Sequence, residues 1–128
     1  MQYYIYDASA DQEQMIVEAM EWVYDKLDLR DDICVDIEMV STSGGGCIQG
    51  EYEDDVEMYT VEINKRLGKK NMLATLFHEM VHVSQYATGR LGQDHWNGQA
   101  KPDLPYMELP WEIEAYAKEK ELMCRYYQ

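Results

Sequence analysis

Residues 72–83 read Met72-Leu73-Ala74-Thr75-Leu76-Phe77-His78-Glu79-Met80-Val81-His82-Val83. Eight of these twelve are apolar, a density that predicts a buried central helix rather than a surface one. The polar members Thr75, His78, Glu79 and His82 fall at i, i+3, i+4 and i+7, so they share one narrow stripe of the helix. A surface helix turns a broader face to water and fills it with Lys and Glu. Here the stripe is aimed inward. Two imidazoles four positions apart can reach one zinc ion, and a carboxylate one position along can activate the water that completes the coordination.

The rest of the chain frames this helix. Tyr3 to Tyr6 reads as a short strand, and Ser9 with Gln12 as a capping box opening a helix with Ile16, Ala19, Met20, Val23 and Leu27 on one face. Asp31-Asp32 ends that unit. Ile33, Val35, Ile37 and Met39 alternate with polar positions, as a half-buried strand requires. Gly44-Gly45-Gly46 reads as a flexible turn. Cys47 to Tyr52 and residues 58–64 read as two further strands joined by Glu53-Asp54-Asp55, which predicts a meander. The acidic run Glu51, Glu53, Asp54, Asp55 and Glu57 reads as a solvated hairpin tip.

The motif helix should stop at Gly89, a left-handed cap. Residues 90–109 read as a loop or small hairpin around Trp96-Asn97-Gly98, and Pro110 as the first residue of a last helix running toward Tyr127. The expected fold class is α+β: a three- to four-stranded, mostly antiparallel sheet on an N-terminal helix, the motif helix and a C-terminal helix. Residues 1–128 form one domain.

Catalytic zinc takes three protein ligands and keeps one position open. The candidates for the third are His95, Asp94, Glu112 and Glu114. Glu114 lies in line with Lys118, Glu121 and Arg125, a row that reads as solvent-facing. Glu112 shares a mostly apolar face with Ala115, Tyr116, Glu119, Leu122 and Met123 and points inward. His95 is the rival, as a histidine following a loop.

Eleven basic against twenty-five acidic side chains leave a formal net charge of −14. That disfavours nucleic acid and anionic membranes as partners and favours a basic peptide. Cys34, Cys47 and Cys124 share no metal-type spacing and read as free thiols. The N-terminus lacks the basic and apolar regions of a signal peptide, and no apolar run approaches the length of a membrane span, so a cytoplasmic location is expected.

The HExxH run, followed some thirty positions later by Pro110-Trp111-Glu112-Ile113-Glu114-Ala115-Tyr116, resembles the gluzincin peptidases. It is similar to small phage and bacterial HExxH proteins that share His-Val-x-Gln-Tyr after the motif, Trp-x-Gly in the loop and Pro-Trp-Glu-Ile-Glu-Ala-Tyr, a likeness over about residues 74–120. More distantly it resembles the CAAX prenyl-protease and ImmA/IrrE families, whose ligand Glu stands three positions before a small Ala, matching Glu112 and Ala115. Where those families place Asp or Asn to orient a zinc histidine, this chain has Tyr116. The spacing of His82 and His95 also resembles the SprT/Spartan proteases, without their residues after the third histidine.

The resemblance implies a minimal zincin-like domain that hydrolyses peptide bonds. Zn2+ would be held by His78, His82 and Glu112, Glu79 would be the general base, and Tyr116, Tyr106 or His95 the oxyanion partner. The substrate would be an extended peptide or protein, preferably basic, paired along a sheet edge expected at strand 58–64. Two other classes stay open: a catalytically silent, zinc-stabilised binding or regulatory module, and an acidic DNA mimic.

Overall fold

The structure is a computed structural model that describes residues 2–41, 46–49 and 56–128. Strand β1 (Gln2–Tyr6) leads into helix α1 (Ala10–Lys26), strands β2 (Ile33–Val40), β3 (Gly46–Gln49) and β4 (Glu57–Asn64), and helix α2 (Lys69–Ala87). A two-residue hairpin follows, β5 (His95–Trp96) with β6 (Gln99–Ala100), then a single 3-10 turn at Tyr106–Glu108 and helix α3 (Pro110–Tyr126). The capping box at α1 forms in full, with the Ser9 and Gln12 side chains each bonded to the other's backbone N–H. Asn97 and Gly98 take positive φ at the tip of the small hairpin, and Gly89 does so just past α2.

The four main strands are ordered β1-β2-β4-β3. The expected mostly antiparallel meander is not what forms: β1 pairs with β2 and β2 with β4 in parallel, and the antiparallel pairing is β3 with β4. Helix α1 carries the chain back along the sheet, so β2 starts at the same end as β1, the geometry of a strand–helix–strand crossover. Strand β4 then inserts between β2 and β3. Strand 58–64 is therefore interior, and among the described residues the sheet ends on β1 and β3. The acidic turn Glu53-Asp54-Asp55, Gly44, Gly45 and the end of the expected strand at Tyr52 lie outside the described residues, as does the side chain of Cys47; Cys34 and Cys124 are free thiols.

One face of the sheet is dry. Ile33, Val35, Ile37 and Met39 of β2 and Tyr59, Val61 and Ile63 of β4 are buried, whereas Asp36, Glu38, Thr60 and Glu62 between them are partly exposed. The dry face joins Ile16, Ala19, Met20 and Val23 of α1 and Met72, Leu76, Phe77, Met80 and Val83 of α2 in one core. Trp22, Phe77 and Tyr126 stack with centroids 5.0–5.6 Å apart and tie the three helices together. No helix among the described residues is long and apolar enough to cross a membrane.

Candidate metal centre

Helix α2 is buried almost all round, so its polar stripe faces α3 rather than water. His78, Glu79 and His82 are 5–7% exposed and their donor atoms lie within 4.8 Å of one another, a group able to hold a metal ion. Glu112, in the first turn of α3, is 8% exposed and places Oε1 3.0 Å from Nε2 of both histidines. Glu79 Oε1 stands farther off, 3.9 Å from His78 Nε2. Glu112 Oε1 thus lies nearer to His78 Nε2 than Glu79 Oε1 does, and reaches His82 Nε2 as well.

The outer ring nitrogens set the charge pattern. His78 Nδ1 donates to Glu119 Oε1 at 3.1 Å, and His82 Nδ1 to Gln85 Oε1 at 2.7 Å. The Gln85 amide is oriented by its NH2 group, which donates to the Trp111 carbonyl at 3.0 Å and Glu114 Oε1 at 3.2 Å. With the ring proton on Nδ1, a neutral imidazole presents its Nε2 lone pair. Two lone pairs then meet one carboxylate oxygen, which also accepts from the Tyr106 hydroxyl at 2.9 Å. Such convergence is repulsive unless protons or a cation stand at the focus.

A pair of imidazolium rings with centroids 4.9 Å apart in a buried site repel each other. A cation meets no such objection. Donors bound to tetrahedral zinc at about 2.0–2.1 Å stand roughly 3.3 Å apart, close to the spacing here, and a two-imidazole, one-carboxylate set is one that zinc accepts. Among the described residues, Glu79 Oε2 is a buried side-chain oxygen without a hydrogen-bond partner. An orphaned acceptor beside a three-donor focus fits a water-binding position.

Titration follows the same contacts. Burial pushes Glu79 up, partly offset by His82 and His78. For Glu112 burial also acts upward, but the bonds from His78 and His82 outweigh it and bring the carboxyl down to about 2. In His82 burial is outweighed by the bonds to Glu112 and Gln85, so the ring is raised. Partial burial, with Tyr116 and Glu112 close by, raises Tyr106 and keeps its hydroxyl a donor.

The other candidates stand elsewhere. His95 is exposed, with Nε2 3.2 Å from the Gly89 carbonyl, and Asp94 is exposed as well. Glu114 is not the solvent-facing residue of a charged row: it is partly buried, forks onto Arg90 and accepts from Gln85. Tyr116 lies over the His78 ring at 4.4 Å. Glu119 and Gln85, which bond the outer nitrogens of the two histidines, are residues that sequence reasoning left without a role. Glu119 sits seven positions after Glu112, on the same helical face, and Gln85 is a glutamine at 1% exposure three positions after His82.

Two cavities flank Glu79. One of about 280 Å³ lies beside His78, and one of about 170 Å³ beside His82 and Glu112. Glu79 and Tyr106 border both, and Gly46 at the start of β3 borders the second. Comparison of the chain with protein-family models, with curated proteins and with solved structures finds no match.

Proposed function

We propose that this chain is a zinc-dependent metallopeptidase of gluzincin type, with a minimal zincin-like domain. The observation that carries the reading is the meeting of His78 Nε2, His82 Nε2 and Glu112 Oε1 at one point, 3.0 Å from nitrogen to oxygen, beside the unbonded Glu79 Oε2. Bound zinc supplies Lewis acidity to the scissile carbonyl and lowers the pKa of the attacking water. Glu79 Oε2 takes the proton of that water and passes it to the leaving amine. Its raised pKa suits a group that must both accept and release a proton. Of the three oxyanion candidates, the Tyr106 hydroxyl is the best supported: it stays protonated and already sits 2.9 Å from Glu112.

An extended peptide would lie across the two cavities and pair along β3, the outermost strand among the described residues, since β4 is enclosed by β2 and β3. The test is metal content and turnover in the wild type and in Glu79→Gln. The peptidase reading expects about one zinc per chain in both proteins, with turnover of a mixed peptide library lost by roughly 100-fold or more in the variant. Zinc retained with no cleavage by the wild type would favour a zinc-stabilised binding module, and absence of zinc from both would remove the metal reading.

A further inference from the structure

We infer that the cavity beside His78 is a specificity pocket for a Lys or Arg side chain next to the scissile bond, an inference that rests on the peptidase reading above. At about 280 Å³ the cavity falls just below the roughly 300–1,000 Å³ typical of small-molecule sites, so it suits one long side chain rather than a whole ligand. Leu67 and the rings of Tyr106 and Tyr116 line it, the two rings meeting edge to face at 6.5 Å. These surfaces match a methylene stem, and the ring faces attract a cation.

Charge decides what the stem must carry. Glu119 and Glu79 line the cavity together with Thr75, and no Lys or Arg does so among the described residues. One Glu119 oxygen accepts from His78 Nδ1, and 20% of the side chain stays exposed, which leaves capacity on the carboxylate for a second donor. Glu79 borders the same cavity with a buried carboxylate whose Oε2 has no protein hydrogen-bond partner, so the wall adds negative potential without a protein donor to offset it there. Even with a dication held, Glu79, Glu112 and Glu119 leave the surroundings net negative. An acidic side chain is repelled there, and an apolar one strips water from Glu119 without replacing its hydrogen bonds.

The test compares two peptides that differ only in Lys against norleucine at the position flanking the bond cut in library digests. Binding is measured on zinc-loaded Glu79→Gln by fluorescence anisotropy. Lysine is expected to bind at least about tenfold tighter, as a charged hydrogen bond warrants, with the margin shrinking at high salt. Adding Glu119→Gln, which keeps an acceptor for His78 but removes the charge, should collapse the ratio. Adding Thr75→Lys should reverse the preference, toward norleucine. Equal affinities, or a lysine preference that survives both substitutions, would overturn the pocket. A protein that prefers lysine in binding yet cuts neither peptide as wild type would instead defeat the peptidase reading, so the two failures are distinguishable.

Discussion

Glu112 stands where two histidine lone pairs meet, and removing it has a consequence that the rival ligand does not share. Glu112→Ala leaves His78 and His82 without a third protein donor, so zinc affinity should fall by more than about 100-fold, beyond the 10–100-fold typical of losing an outer hydrogen bond. His95→Ala should leave it unchanged, because that ring contacts the Gly89 carbonyl on an exposed hairpin. A chelator-competition titration giving the opposite ranking would return His95 to the site. Glu112 was legible because a helical face is written in residue spacing: Ala115 and Leu122 beside it are buried. The partners of the histidines were not. Spacing puts Glu119 on the face that meets α2, but which ring nitrogen it reaches depends on how far along one helix lies against the other, and side-chain periodicity carries no such information. Tyr116 sets its ring against His78, and the carboxylate that reaches that histidine's Nδ1 is Glu119, one turn on.

Gln85 is one of the side chains that join helices α2 and α3 at the site: it accepts from His82 Nδ1 and donates to the Trp111 carbonyl at the start of α3. It therefore fixes the His82 tautomer and also the first turn that carries Glu112. Gln85→Leu keeps the volume and removes the side-chain hydrogen bonds. We expect zinc affinity to drop about 10–100-fold and the metal-free protein to lose roughly 1–3 kcal/mol, the cost of leaving buried polar groups unpaired. Chelator competition and urea unfolding measure the two effects separately; an unchanged zinc affinity would show that Gln85 does not hold the ring. The helices themselves were legible from period, capping box and glycine stop. Strand direction was not, for a specific reason. Clean alternation of buried and exposed positions in β2 and β4 is usual for antiparallel sheets with one wet face, whereas parallel sheets are commonly covered on both faces. Here a parallel pair has helices on one face, so the alternation pointed the wrong way, while the 17-residue α1 between β1 and β2 was the better guide.

Folding, metal and pH are linked through the same three side chains. In the metal-free protein Glu112 is held at about 2 against an ordinary 4.5, so its contribution to stability is present above 4.5 and is lost as the pH falls toward 2. His82 runs the other way: raised above 6.5, it contributes fully below that value and the contribution is lost as the pH rises through its folded pKa. Glu79, raised above 4.5 by burial, has the same sign as His82, since the folded state binds the extra proton. The metal-free protein should therefore gain from this cluster most in mildly acid solution and lose that gain toward neutral and alkaline pH. Zinc must displace the proton that His82 shares with Glu112, so its affinity rises over the range in which that proton leaves. The difference in Tm between zinc-loaded and chelator-treated protein should accordingly grow from pH 5 to pH 8. At free zinc of about 100 times Kd the stabilisation is about 2.7 kcal/mol, a shift on the order of 10 °C for a chain of this length. The acidic surface adds in the same direction, because a net charge of −14 attracts a dication and is partly relieved by it. Calorimetry at matched free zinc across that range decides the matter: a Tm difference that is flat or shrinks with pH would mean that zinc does not replace the proton held at His82.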